Sequence, residues 1–325
     1  MVSQGLLNWR TLTQALSAPQ ADVFPGRMMV ILSVMQRTLE RLRNVSSRQN
    51  ALLKELRRAF IRGEPIADGY IAAEGLHVVE EAIRSGLRVR AVVFSHAARS
   101  VADRLLPQLA SNVEALLVPN AIFASVVSTE NPQGVAALVK LRQHSLQEVI
   151  QANDALVGVC VGLQDPGNLG TIIRSAEAFG AACVVLSEGS VSPFNAKVVR
   201  AASGSLFRLP VLRMEAMAAI KELRATGTRL LATSSHGGKA LSQADLSGRV
   251  AVFIGSESSG LGHDLLKHMD EVITIPHSRK VESLNAAMAA SVVLYEAARQ
   301  RGFFTTEARG SQESRADVAV DDNTA

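Results

Sequence analysis

Five apolar runs in the second half of the chain constrain its fold most: ALVGVCVGL (155–163), ACVVLS (182–187), RLLAT (229–233), AVFIG (251–255) and EVITI (271–275). Each is short and continuous rather than alternating. That pattern predicts strands covered on both faces, as in a parallel sheet with helices packed on either side. Open parallel sheets bind ligands beyond the carboxyl ends of their strands. Three polar loops follow such ends here: DPGN after 163, SESSG after 255 and HSRKVES after 275. The topology predicts that they form one crevice.

The third loop enters a helix at Ser283 that runs to Arg301 and is apolar on nearly all sides, so the helix is expected to be buried. Ser283 reads either as its N-cap or, because the first amides of a helix lack partners, as part of a ligand site. The first loop enters NLGTIIRSAEAFGA (168–181), with Asn168 as the expected N-cap and Gly180 as the C-terminal stop. Leu169, Ile172, Ala176 and Phe179 form its apolar stripe. Arg174 projects off that stripe, either as an i,i+3 partner of Glu177 or as a functional guanidinium. Further on, SPFNAKVVRAASGSLFRLP (192–210) gathers Asn195, Lys197, Arg200 and Ser203 on or beside a short helix. The loop GSESSGLG (255–262) keeps one carboxylate, Glu257, among glycines and serines. It fits an ordinary turn and also a ligand loop, in which glycine permits close backbone approach.

Between Gly69 and Leu141 strands again alternate with helices: YIAA, a helix over Glu74–Ser85, VRAVVF, a helix near Val101–Leu109, VEALLV, a short helix after Pro119, and GVAALV. This predicts a small α/β domain, placed at 46–141, then a polar linker at 142–153 and a second α/β domain at 154–304. Residues 1–45 read as an extension, partly disordered or helical, and the polar tail 305–325 as disordered. Met28, Met29 and Met35 point to a biological start downstream of Met1. From Gln36 to Arg62, eight basic residues (Arg37, Arg41, Arg43, Arg48, Lys54, Arg57, Arg58, Arg62) face two acids, Glu40 and Glu55. Such a run is either a solvated helix face or a surface for nucleic-acid phosphate. Residues 1–150 carry 17 Lys+Arg against 12 Asp+Glu, and residues 151–300 carry 14 against 13. An anionic partner would therefore meet the first half.

Cys160 and Cys183 both lie inside apolar runs and are expected to be small buried hydrophobes in a reducing cytosol. The seven histidines show no metal-ligand spacing, and no metal is expected. The chain lacks GxxxxGK[ST], a GxGxxG after a strand, and GxSxG. These absences argue against an NTPase, a Rossmann dinucleotide enzyme and an α/β-hydrolase. No apolar run reaches the length of a membrane span.

Three segments, taken together and in order, resemble the SpoU/TrmH-type RNA 2′-O-ribose methyltransferases of the SPOUT superfamily. They are DPGNLGTIIRSAEAFGA, FIGSESSGLG and IPHSRKVESLNAAMAASVVLYEAARQR, with SPFNAKVVRAASGSLFRLPV between the first two also similar. The resemblance covers 154–301; more loosely, through IAAEGLHVVEEAIRSG, the first half is similar to the small RNA-binding domain that precedes the catalytic domain in many members. It implies an α/β parallel-sheet domain closed by a deep trefoil knot, S-adenosylmethionine bound in that knot, and a cytoplasmic homodimer with active sites at the subunit interface. It implies structured RNA as substrate, ribosomal RNA before transfer RNA. A transfer-RNA enzyme and a non-catalytic RNA-binding assembly factor are the alternatives. Matching catalytic and phosphate-handling positions are Asn168, Arg174, Glu257, Ser283 and Asn285. Matching cofactor positions are Gly255, Ile275 and Leu284, with Thr233 nearby, and RNA contacts are expected from Lys197, Arg200, Arg57 and Arg58. His277 and Lys280 depart from the family, where a Met and a small residue are frequent, as do Ala286 and Ala287 after Asn285.

Overall fold

The computed structural model describes residues 41–256, 260–278 and 280–303. The extension before 41, the proposed downstream start, the tail after 303 and Glu257 all lie outside the described residues. Elements in the first half are β1 (Leu42–Asn44), α1 (Ala51–Arg62), β2 (Tyr70–Glu74), α2 (Leu76–Arg84), β3 (Arg88–Ser95), α3 (Arg99–Leu105), β4 (Glu114–Val118), α4 (Asn120–Val126) and β5 (Val135–Lys140). The chain continues through α5 (Leu146–Val149), β6 (Leu156–Cys160), α6 (Pro166–Ala178), β7 (Cys183–Leu186), α7 (Ala196–Ala201) and β8 (Val211–Arg213). It ends with α8 (Ala216–Ala225), β9 (Arg229–Ser234), β10 (Lys239–Ala240), β11 (Val250–Ile254), α9 (His263–Leu266), β12 (Glu271–Thr274) and α10 (Ala286–Gln300).

The first sheet is mixed, in the order β1-β4-β3-β5-β2. Alternate residues of its strands face opposite sides. Ile71, Ala73, Val92 and Phe94 pack toward α2 and α3, while Ala72, Val93, Leu116 and Leu138 meet α1 and α4. In α1, Leu52, Leu53, Leu56, Ala59 and Phe60 recur at helical spacing and are buried, so the cations of the run fall on the solvent face. Asn50 caps its start by accepting from the Leu52 and Leu53 amides at 3.0 and 3.4 Å, and Gly63 ends it at φ 58. The sheet begins at Leu42, inside the segment that the sequence assigned to an extension, because β1 pairs in parallel with β4.

The second sheet has seven strands in the order β10-β12-β9-β11-β6-β7-β8, and every pair in it is parallel. Helices α6, α7 and α10 cover one face through Leu169, Ile172, Ile173, Val198 and Val293. On the other face α8 packs through Ala219, Ile220 and Leu223, joined by Leu146 and Ile150 of the segment read as a polar linker. That segment is docked rather than loose: Ser145 and Glu148 form a reciprocal capping box, and Leu146 is buried at its centre. Helices α6 and α7 meet at Gly170, where a Cβ would lie 2.4 Å from that of Ala201. Cys160 and Cys183 are buried, and burial pushes both thiols up to about 12, so neither is a nucleophile near neutral pH.

Helix α10 is clamped at its far end. The Gln300 side chain donates to the Ala244 carbonyl at 3.0 Å and accepts from the Leu246 amide at 2.8 Å, while Arg301 reaches the Leu246 and Gly248 carbonyls at 2.8 and 2.9 Å. Glu296 holds Gln300 at 2.9 Å and Arg299 at 2.7 Å. The Arg299 hydrogen bond, aided by Gln300 and opposed by partial burial, brings the Glu296 carboxyl down to about 2 from 4.5. A carboxyl depressed in the folded state contributes stability above its unfolded value and loses it as pH falls through the folded one. Urea unfolding of Glu296→Gln should therefore show a flatter fall of stability between pH 4.5 and about 2 than the unsubstituted protein. Superimposable pH profiles would refute the shift.

A candidate active site at the carboxyl edge of the seven-stranded sheet

Because β6, β9, β11 and β12 run in parallel, the loops that leave them reach the same edge of the sheet, as the sequence predicted. A cavity of about 640 Å³ opens there, lined by Thr233, Gly255, Ile275, Ser283 and Leu284 together with Ser256, Gly260, Leu261, His277 and Val293. That volume suits a small organic ligand. All four expected cofactor positions are on its wall. Gly255 is there for a steric reason: a Cβ on it would stand 2.2 Å from the Gly260 carbonyl carbon and 2.6 Å from the Leu261 nitrogen. The loop folds back on β11 through the Gly260 amide, which donates to the Ser256 carbonyl at 2.9 Å, and Gly260 takes φ 60. Thr233 donates its hydroxyl to the Phe253 carbonyl at 3.0 Å, tying two strands together below the cavity.

The first and third loops meet through their asparagines. Asn285 donates from Nδ2 to Asn168 Oδ1 at 2.9 Å. The cap positions differ from the sequence expectation. Asp165, not Asn168, caps α6, accepting from the Asn168 amide at 2.7 Å with Pro166 in the first turn. Asn285, not Ser283, caps α10, accepting from the Ala287 and Met288 amides at 3.0 and 3.2 Å. Neither displaced side chain caps a helix: Ser283 lines the cavity, and Asn168 is buried against Asn285. The expectation of a wholly buried α10 is also corrected, since Met288, Val292 and Tyr295 form an exposed apolar stripe, 61%, 41% and 49% accessible.

Arg174 is exposed and makes no hydrogen bond or ion pair among the described residues. Six residues beyond Asn168, it lies roughly 120° around α6 from it and does not line the cavity. Its expected partner Glu177 binds Arg208 instead, at 2.5 Å. Arg57, Arg58 and Lys197 are exposed and unpaired among the described residues. The helices that carry them adjoin where Gly63, at the end of α1, packs against Asn195, and Ser192 donates to the Gly63 carbonyl at 2.6 Å. Arg200 turns the other way, into the junction of the two sheets, where it bonds Thr129 at 2.5 Å and faces buried Glu74 at 3.5 Å. That engagement makes it a clamp between the halves rather than a free phosphate ligand. Sequence reasoning gave no role to His277, whose Nε2 is buried without a partner on the cavity wall, nor to Leu261 and Gly260. The glycine-rich loop carried the signal for the last two. Among the described residues no cluster of three or more His, Cys, Asp or Glu could hold a metal ion.

The SpoU rRNA Methylase family model matches residues 155–295, and an MRM3-like substrate binding domain matches 50–137. The 23S rRNA (guanosine(2553)-2′-O)-methyltransferase RlmP of Bacillus subtilis is 31% identical over 254 residues, covering 78% of this chain and 98% of that one. This chain belongs to the SpoU methylase family. A 23S rRNA (uridine(2479)-2′-O)-methyltransferase of Streptomyces viridochromogenes is 30% identical over 72% of this chain and 84% of its own length. Among solved structures, an AdoMet-bound rRNA methyltransferase from Sinorhizobium meliloti superposes with TM-score 0.70 at 28% identity, covering 80% of this chain and 98% of that one. The SpoU methyltransferase AviRb from Streptomyces viridochromogenes, in complex with AdoMet, gives 0.68 at 28% identity over 78% and 98%.

The double duty of Asn285 in this SpoU member is testable by urea unfolding. Asn285→Ala removes the cap and the bond to Asn168 and should cost about 1–2 kcal/mol. Asn285→Asp keeps the capping acceptor and should cost less than half as much; equal losses would deny the cap.

Proposed function

We propose that this protein transfers a methyl group from S-adenosylmethionine to a ribose 2′-hydroxyl of structured RNA, ribosomal RNA before transfer RNA. The observation that carries the reading is the cavity at the strand ends, walled by backbone at Gly255, with the Asn168–Asn285 pair tying one of its loops to the loop after β6. The family membership and the names of relatives over most of their length support it. The residues fit the cofactor. Gly255, Ile275 and Leu284 offer close backbone approach and apolar surface, Thr233 lines the floor, and His277 presents an unused polar atom. When bound, S-adenosylmethionine supplies an electrophilic methyl group on its sulfonium.

The residues of the chain then have to align and activate a weak nucleophile. A guanidinium does not readily give up its proton, so Arg174 serves as a donor that stabilises negative charge developing on the ribose oxygen, with an RNA phosphate receiving the proton. Ser283 and Asn285 orient phosphate and ribose, and Asn168 holds Asn285. Glu257 is assigned to fixing Arg174 or Asn168. Because Arg174 does not line its own chain's cavity, the reading includes a homodimer in which Arg174 of a second copy completes the site. The exposed stripe Met288, Val292 and Tyr295 supports such a contact. The trefoil knot belongs to the same reading, with the 275–285 loop and α10 as its closing segment, as does a cytoplasmic location beside ribosomal RNA. Arg57, Arg58, Arg62 and Lys197 form the RNA-phosphate face.

Arg174→Ala should lose at least 100-fold in methyl transfer, measured with tritiated cofactor, while calorimetry shows unchanged cofactor affinity. Full activity in that variant would refute the assignment. Replacing Arg57, Arg58 and Arg62 together by Gln should lower the slope of log RNA affinity against log salt by about 2. Substitution is the right probe rather than deletion, because α1 also supplies Leu52, Leu53 and Phe60 to the core. An unchanged slope would leave these arginines as a solvated face.

A further inference from the structure

On α6, Arg174 and Glu177 stand three residues apart, near enough on a helix surface to pair. The pair is not made. Both oxygens of Glu177 are taken by one guanidinium: Arg208 Nε donates to Oε1 at 2.5 Å and Nη2 to Oε2 at 3.0 Å, a two-point fork. Arg208 is itself held from the other side. Its Nη1 donates to Glu81 Oε2 at 2.7 Å and to Ser85 Oγ at 3.4 Å, at the end of α2 in the first half of the chain. Gly204 makes room for this, since a Cβ there would lie 2.8 Å from the Glu81 side chain. Burial pushes the Glu177 carboxyl up, but hydrogen bonds from Arg208 and Ser205 and the Arg208 charge outweigh it, so Glu177 stays ionised. An ionised Glu177 without Arg208 would have Arg174 as its nearest cation on the helix.

We propose that Arg208 is a positioning residue that keeps Arg174 unpaired by occupying Glu177, and that Glu81 of the N-terminal sheet domain holds Arg208 in place to do so. The inference rests on the assignment of Arg174 as the group that meets the ribose. It gives the domain junction a role in the reaction: docking of α2 against Arg208 sets how freely Arg174 is presented. Glu81 keeps a second partner, Arg84 at 2.9 Å, so removing Arg208 does not leave it uncompensated.

The test compares Arg208→Ala, the double variant Arg208→Ala/Glu177→Gln, and Arg174→Ala in the full-length protein, each with unmodified ribosomal RNA and tritiated cofactor. Arg208→Ala should lower kcat about five- to tenfold through misplacement of Arg174, with KM for the cofactor unchanged. Adding Glu177→Gln removes the competing carboxylate and should return kcat to within about twofold of the unsubstituted enzyme. Its melting temperature should stay low, because the bridge to Glu81 is still missing. Recovery of kcat without recovery of stability separates positioning from mere support of the fold. The proposal is overturned by an unchanged kcat in Arg208→Ala, or by equal loss in the single and double variants. If Arg174→Ala is fully active, the reading on which the proposal rests fails first, and the two failures are told apart.

Discussion

Every strand of the larger sheet points the same way, and the geometry of the site depends on that alignment. A parallel sheet cannot be joined by hairpins, so each strand must be followed by a crossover, and each crossover begins at the same edge. Three of those beginnings, after β9, β11 and β12, converge on one cavity, and the loop after β6 joins them through the Asn168–Asn285 bond. The cavity floor belongs to the sheet, one side to α10, and the remaining wall to a loop pressed so close to Gly255 that backbone alone fills the space. Specificity in such a wall comes from the positions of peptide groups, which the sheet fixes rigidly, rather than from side chains that rotate.

The two halves share one apolar core, which runs from Ile71, Val78 and Val79 to Leu169, Val198 and Leu206, and their junction is crossed as well by charged and polar pairs: Arg208 with Glu81, Arg200 with Glu74 and Thr129, Arg213 with Glu64, and His77 with Ser203. The solvent-facing pairs among these stabilise weakly, about 0–1 kcal/mol each, whereas Glu74 is buried. They fix orientation more than they add stability. Arg57, Arg58, Arg62, Lys197 and Arg174 take no part in these pairs and are among the described cations that remain unpaired.

Much of this was legible in the sequence for a physical reason. Continuous apolar runs must be buried on both sides, and all five of them became strands of the parallel sheet. β8 and β10 escaped notice because three and two residues make no run. The caps were misplaced by three and two residues because Asp165 and Asn168, like Ser283 and Asn285, are equally good capping types; Pro166, which favours the first helical turn, was the unused clue. Spacing along one helix offered Glu177 to Arg174, yet the partner that won lies 31 residues away, where no local pattern reaches. The polar look of 142–153 hid Leu146 and Ile150, two buried side chains among ten or so soluble ones.

Helix α10 supplies Ala286, Ala289 and Val293 to the cavity, and its last residues are tied by Gln300 and Arg301 to the 244–248 loop. Every strand of both sheets precedes α10 in the order of the chain, so the strands are complete without it while the cavity lacks a wall. The capacity to hold a small ligand therefore rests on an element that adds no strand to either sheet, and a molecule in which α10 had come undone would keep both sheets and lose its ligand.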